Sequence, residues 1–322
     1  MLVPLPVARS SLRTRLRIFH SFTRCVIAPF VKDANDRTLV LFGNYLVGRR
    51  VGKGRFGYVY EATDRATGRG VAIKFVDGAI GAGDPDGSAC FEVADDDSGI
   101  ELARDEIDVM SWLPPHPNVV RMLEHFETNV DGETTVAIVL ELADGDLYAR
   151  MADASCGRLD ERAAAAYVRD VARALRHLHR HGVTHRDVKP ENVLLFSDSS
   201  GGRPTAKLCD FGWATTCDRS SFVCGTLDYL PPEMITVDVY DHRVDIWSLG
   251  VLAYELVADR PPFEHRSRAA TKRAILRGRP HPFSDDVSLE VRDFVDRLLQ
   301  VTPSRRATID DVLAHAWLAP GP

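Results

Sequence analysis

At 322 residues, with 45% hydrophobic and 27% charged side chains, the chain is long enough for two cored lobes. A net charge of −6 excludes a global nucleic-acid footprint, and no apolar run is long enough to span a membrane. The six cysteines contain no Cys-x-x-Cys pair, which fits a reducing compartment better than a disulfide frame or a zinc site.

Residues 1–43 form the first segment. They carry Arg9, Arg13, Arg15, Arg17 and Arg24, with no acid before Asp33. A basic, disordered arm is expected; an organelle transit peptide is the alternative, since those are also Arg-rich and acid-poor. Strand-like alternation then prevails from Tyr45 to Leu142. Gly52, Gly54 and Gly57 stand between two such runs. Lacking side chains, they let backbone N–H groups approach phosphate oxygens, although the pattern alone reads equally as a hairpin turn. The following Val71-Ala72-Ile73-Lys74 is an apolar strand ending in a lysine, a residue that is costly to bury without partners.

Residues 77–98 are rich in glycine and aspartate and poor in apolar side chains, and are expected to form a mobile acidic insertion. Next comes a helical pattern from Ile100 to Leu113. Ile107, Met110 and Leu113 mark its inner face, and Glu106, beside that face, is the expected partner of Lys74. Glu101 and Asp108 read as a solvated face. From Leu147 onward helical patterns dominate, the clearest spanning Ala163 to His181.

The most informative segment is His185-Arg186-Asp187, followed by Lys189, Asn192 and Asp210-Phe211-Gly212. A polar loop between apolar runs is the bland reading. It does not explain four such residue types at these spacings together with Lys74 and the glycines upstream. The set resembles the protein kinase signature. That resemblance implies an α+β bilobal fold: a small β-rich lobe with one regulatory helix over residues 44–143, a larger helical lobe over 144–318, and a short tail at 319–322. It implies ATP in the cleft, with Val51, Val59, Ala72 and Leu194 around the adenine and Gly52, Gly54 and Gly57 on the phosphates. Lys74 would hold the α- and β-phosphates. Glu141 and Ala143 would offer linker backbone behind the gatekeeper Leu140. Asp187 would orient the attacking hydroxyl and Lys189 would neutralise the moving phosphoryl, while Asn192 and Asp210 would hold Mg²⁺. Two scaffold pairs are also expected. Glu233 should pair with Arg306. Asp245, in an apolar helix, requires donors that the backbone around His185-Arg186-Asp187 could supply.

Gly225-Thr226-Leu227-Asp228-Tyr229-Leu230-Pro231-Pro232-Glu233-Met234, with Trp213 directly after Asp210-Phe211-Gly212, resembles the Aurora family of serine/threonine kinases. The likeness runs from about Asn44 to Leu318. It implies ATP-dependent phosphorylation of mitotic proteins near spindle and chromosomes, with the protein in the nucleus, cytoskeleton and cytoplasm. It also implies a monomeric catalytic domain, without direct nucleic-acid or membrane partners. An activating partner segment, like those of inner-centromere or spindle proteins, would dock on the small lobe; the end of the sequence soon after Leu318 fits that need. Glu191 and Glu255 match the acids that hold an arginine two residues before the target, Asp146 matches an acid near the ribose, and Thr226 is placed at the substrate. A related basophilic kinase of the Polo or calmodulin-dependent type, and a pseudokinase scaffold, are the alternatives.

Three departures from the Aurora pattern stand out. Phe222 occupies the position of the phosphorylated threonine, Asp105 that of an arginine which grips the phosphate, and Met110 that of a polar residue in the apolar column completed by Met122, His185 and Phe211. Two routes could then satisfy the Arg186 cation. Phosphorylation of Ser221, beside Ser220, is preferred for its larger charge. Direct pairing with Asp105 is the other route. Cys209 is expected to face the ATP cleft or to serve as a small core residue.

Overall fold

The computed structural model describes residues 30–32, 38–54, 57–77, 98–130, 133–154, 157–198, 201–217 and 219–319. The acidic insertion and most of the basic N-terminal segment lie outside the described residues. Two short strands, β1 (Phe30–Lys32) and β2 (Thr38–Phe42), fall inside the segment expected to be disordered. They pair antiparallel, and β2 continues onto the next strand, so the sheet starts upstream of Asn44. The run Thr38-Leu39-Val40-Leu41-Phe42 is β-branched and aromatic enough to extend a sheet that is already formed.

The chain divides into two compact units. The first contains β1 and β2, β3 (Tyr45–Gly54), β4 (Gly57–Asp64), β5 (Gly70–Asp77), and most of β6 (Met122–Val130) and β7 (Glu133–Glu141). The described strands form one sheet in the order β1-β2-β3-β4-β5-β7-β6. Period-2 alternation sorts its side chains. Val47, Tyr60, Ala62, Val71, Ile73, Phe75 and Val139 bury together on one face, with the Phe42 and Phe75 rings edge-on at 5.2 Å.

The second unit holds Glu101–Met122 and everything from Ala143 onward. It therefore includes nearly all of helix α1 (Ser98–Trp112). Val109 and Leu113 join the large core. Beyond the helix, Val120 N donates to Leu208 O at 2.9 Å, Leu208 N to Asn118 O at 2.9 Å, and Asn118 Nδ2 to Ala206 O at 2.9 Å.

Helix α2 (Leu147–Ala152) follows the short strand β8 (Gly145–Asp146) and is capped by Asp146, which accepts from Ala149 N at 2.7 Å. Helix α3 (Glu161–Arg180) is capped by Asp160 and buries Ala164, Val168, Val171, Leu175 and Leu178, the expected 3.6-period stripe. Strands β9 (Val193–Phe196) and β10 (Thr205–Leu208) form a small sheet with β8. After a single turn, α4 (Pro232–Ile235), comes α5 (Arg243–Ala258), which is buried along almost its whole length. Helices α6 (Arg268–Arg277), α7 (Leu289–Leu298) and α8 (Ile309–Ala314) complete the unit, and Val291, Phe294 and Val312 seal its core. No helix among the described residues is long and apolar enough to cross a membrane.

Candidate functional site

In the first unit, strand register lines up the residues expected around a nucleotide. Gly52 pairs with Val59, Val59 with Lys74, and Ala72 with Leu140. Val59, Ala72, Lys74 and Leu140 alternate with Tyr60, Ile73, Phe75 and Val139, so they share the face opposite the aromatic core. All four are half-buried, whereas Val51 is exposed. Gly54 pairs with Gly57 and lies 4.0 Å, measured from an added Cβ, from Lys74 Cε. At Gly57 an added Cβ would meet Phe75 O at 1.8 Å, so only glycine allows β4 and β5 to approach here. Glu141 and Ala143 lie at the end of β7 and just beyond it, both half-buried.

In the second unit, the segment from Thr184 to Asn192 is fixed from below. Asp245, fully buried in α5, accepts from His185 N at 2.9 Å, Arg186 N at 2.8 Å and His179 Nε2 at 2.8 Å. Burial alone would raise its pKa, but these donors outweigh it and hold the carboxyl below its ordinary value. The backbone donors are those expected. His179 was not foreseen, since it stands 66 residues away on α3. Arg186 takes φ 70 and Asp210 φ 61, a left-handed conformation unusual for side chains of this size.

On this base the expected catalytic residues converge. Lys189 Nζ donates to Asp187 Oδ2 at 2.8 Å and to Thr226 Oγ1 at 2.9 Å. Thr226 Oγ1 in turn donates to Asp187 Oδ1 at 3.3 Å, and Asn192 Nδ2 to Asp187 Oδ2 at 2.9 Å and to Asp187 O at 2.8 Å. Burial works to lower the Lys189 pKa, but Asp187, with Glu191 and Asp210 beyond it, overcomes this and raises it, so the ammonium stays charged. Gly225, at φ 95, brings the Thr226 segment against Arg186 O, where an added Cβ would sit at 2.8 Å. Cys209 N donates to Asn192 O at 2.9 Å, and His185 Nε2 hydrogen-bonds Cys209 O at 3.0 Å. The Cys209 thiol is half-buried. Glu106 is buried, and Phe211 N donates to its Oε1 at 3.2 Å, tying α1 to Asp210-Phe211-Gly212. The His185 and Phe211 rings meet edge-on at 5.3 Å. Met110 packs on the same core, and Met122 is half-buried.

Around Tyr229 the electrostatics are acidic. Tyr229 OH donates to Glu255 Oε2. Burial, then Glu191, Asp228, Glu264 and Asp259, push the Glu255 pKa up to about 8. Arg306 grips Glu233 with two bonds, Nη1–Oε1 at 2.6 Å and Nη2–Oε2 at 2.7 Å, as expected. Its guanidinium also lies 5.1 Å from the Trp247 ring centre.

Asp146, expected near the substrate, caps α2, a role no sequence motif separated from ligand contact. Asp105 is exposed on α1, and among the described residues no ion pair joins it to Arg186. Burial, Asp108 and Glu101 raise its pKa while the Arg186 charge opposes them. Arg186 instead donates to the carbonyls of Trp213 and Ala214 and, at 3.2 Å, to Tyr240 OH. Ser221 is exposed, and Ser220 exchanges two backbone bonds with Tyr240.

A carboxylate bracketed by a lysine, an amide and a threonine, and held from beneath by a second buried carboxylate, suits transfer of a group to a hydroxyl. The sequence matches the protein kinase domain over residues 45–318. It is 37% identical over 303 residues to an Aurora kinase of Patiria pectinifera, covering 93% of this chain and 68% of that one. Aurora kinase B of Danio rerio is 37% identical over 92% of this chain and 86% of its own, and an Aurora kinase of Schizosaccharomyces pombe 37% identical over 86% and 72%. With matches of that extent added to the bracketed Asp187, the chain belongs to the Aurora family and is a protein serine/threonine kinase.

Proposed function

We propose that this kinase uses ATP and Mg²⁺ to phosphorylate Ser or Thr placed two residues after an arginine, in mitotic proteins of the spindle and chromosomes. The observation that carries the substrate reading is a cluster of acids around Glu255, which accepts from Tyr229 OH; burial and then Glu191, Asp228, Glu264 and Asp259 push its carboxyl up to about 8. Such a cluster gains most from a guanidinium, which returns the missing positive charge with charge-assisted bonds. Glu191, exposed on the turn after Lys189, would meet the same guanidinium from the solvent side.

Chemically, ATP supplies the phosphoryl group and Mg²⁺ spreads its charge. The residues present fit both. Magnesium retains few protein ligands alongside phosphate oxygens. Among the described residues no cluster of three or more His, Cys, Asp or Glu side chains could hold a metal, and Asp210 with Asn192 would give the two oxygens needed. Asn192 uses Nδ2 for both bonds to Asp187, which leaves Oδ1 out of them. Lys74 would hold the phosphates with the glycine strands, paired with Glu106, while Val51, Val59, Ala72, Leu140 and Leu194 would cover the adenine. Glu141 and Ala143 would bond its edge. Asp187 orients the substrate hydroxyl and takes its proton, and Lys189 and Thr226 keep that carboxylate in place. Asp146 would face the substrate only as far as its capping role allows. A partner segment docking on the small lobe would set activity, and the spindle and chromosomes would be the place of action.

A peptide-array phosphorylation profile with purified protein tests this reading. Enrichment of arginine at −2, lost in the Glu191→Gln/Glu255→Gln double variant, supports it. A profile indifferent to basic residues refutes the substrate assignment.

A further inference from the structure

Arg186 precedes Asp187 directly and takes φ 70. Among the described residues no carboxylate pairs with it. Its guanidinium instead reaches Trp213 O, Ala214 O and Tyr240 OH, all neutral acceptors. The remaining face of the cation is covered by an aromatic ring: the Phe222 centroid lies 5.8 Å from Arg186 Cζ. Phe222 is exposed, at 47%, so its ring contacts are shared with solvent. Its ring also packs 6.0 Å from Trp213. Its carbonyl accepts from Tyr240 OH, and its N–H donates to Ser220 Oγ at 3.2 Å. Ser220 and Tyr240 exchange backbone bonds at 3.1 and 2.8 Å. The result is a closed loop of contacts, from Arg186 to Tyr240, to Phe222, and back to Arg186.

We propose that Phe222 is a positioning residue that holds the segment from Trp213 to Thr226 on the catalytic loop by placing its ring over the Arg186 cation, so that no phosphate is needed there. The ring face carries negative electrostatic potential, which attracts a guanidinium without a formal charge. Three threonines show what the clamp serves. Thr184 and Thr215 exchange backbone bonds at 2.9 Å on one side of it, and Thr226 reaches Asp187 on the other. With the segment anchored at Trp213 and Phe222, Thr226 is held where it meets Lys189 and Asp187. The inference rests on the catalytic reading of Asp187, but the clamp can be measured independently of phosphate transfer.

The experiment uses the full chain after phosphatase treatment, as wild type, Phe222→Leu and Phe222→Tyr. Hydrogen exchange over residues 213–226 is measured beside peptide phosphorylation, with exchange across α5 as the fold control. Leucine keeps the apolar bulk but loses the ring, so exchange should rise and turnover fall, each by about two- to fivefold. Tyrosine restores the ring and should restore both. Phosphatase should change neither property of the wild type. The proposal is overturned if Phe222→Leu matches wild type in exchange, or if phosphatase alone loosens the segment and cuts turnover. Should wild type transfer no phosphate while leucine still loosens the segment and tyrosine does not, the clamp stands and the catalytic reading falls.

Discussion

The catalytic loop and the activation segment lie side by side in the larger unit and are held by different kinds of force. Around the loop, His185 N, Arg186 N and His179 Nε2 all converge on the fully buried Asp245, and Asp187 is bracketed by Lys189, Asn192 and Thr226. From Trp213 to Phe222 no carboxylate is engaged among the described residues: the Arg186 guanidinium donates to the Trp213 and Ala214 carbonyls, and the other anchors are Phe222 on Arg186 and Trp213 and Tyr240 OH on the Phe222 carbonyl. Charge-assisted, desolvated bonds are strong and costly to break, whereas half-exposed ring contacts contribute little each. The chemistry is thus built on the stiffer region, and the region that could be switched is the softer one.

The sharpest break of the stiff region is at the reacting carboxylate. Asp187→Asn should cut phosphate transfer by at least about a hundred- to a thousandfold, the scale for losing one preorganised polar group. Lys74→Ala and Asp210→Asn should do as much through the phosphates and metal. Steady-state turnover with a basic peptide, beside a thermal melt showing an intact fold, checks all three. Wild-type turnover in Asp210→Asn would remove that residue from the metal site.

Next in size is Asp245→Ala, which leaves two buried backbone N–H groups and His179 without their acceptor. Leaving buried donors without their acceptor costs about 1–3 kcal/mol each, and in a unit of this size about 2–4 °C per kcal/mol. The melting midpoint should fall by about 6 °C or more. Phe222→Ala, removing a half-exposed ring, should move it far less. A reversal of that order would undo the contrast between the two regions.

The stiff region was also the legible one. Aspartate in the apolar helix around Asp245 and the Glu233–Arg306 pair are both cases where burying a charge forces a partner, so sequence alone demands one. His179 was missed because three histidines, His177, His179 and His181, share the end of α3, and only the fold decides which one meets Asp245. Asp146 was ambiguous because the same carboxylate chemistry serves a helix cap and a ligand. The apolar face of helix α1 does not state which core it joins; Val109 packs into the larger one. Phe222 was read only as the loss of a phosphate acceptor, since a ring over a cation leaves no mark in spacing or hydropathy.

The acidic cluster offers a pH test that leaves both regions intact. Burial and its acidic neighbours disfavour the charge on Glu255 and push its carboxyl up to about 8, well above an ordinary carboxyl. Below that value it carries a proton that an arginine at −2 must displace. Therefore kcat/KM for an Arg(−2) peptide should rise with pH up to about 8 and then level off, while a peptide lacking the arginine shows no such rise. In Glu255→Gln the rise should vanish. For stability the sign is opposite: the raised carboxyl favours the fold most below the ordinary glutamate range, and that contribution is lost as pH rises through about 8. A pH–rate profile equal for both peptides would sever Glu255 from substrate binding.

The smallest expected effect decides what the soft region depends on. Asp105 feels the Arg186 charge across α1, yet its own pKa is raised by burial, Asp108 and Glu101, and it is exposed. An exposed charge at that remove contributes about 0.2–1 kcal/mol at most, so Asp105→Ala should lower turnover less than about fivefold, and less still at high salt as screening grows. Ser221 is exposed and makes none of the Phe222 clamp's contacts, so Ser221→Ala should leave turnover unchanged before and after phosphatase. The two variants, assayed at low and high salt, separate the sources of order in the segment. A large, salt-sensitive loss in Asp105→Ala would mean that an ion pair forms during the cycle and that the segment is held by charge after all. A loss in Ser221→Ala that phosphatase reproduces in the wild type would mean that it is held by phosphate. If both variants keep turnover within these bounds, ring contact and neutral bonds suffice to hold Thr226 on Asp187.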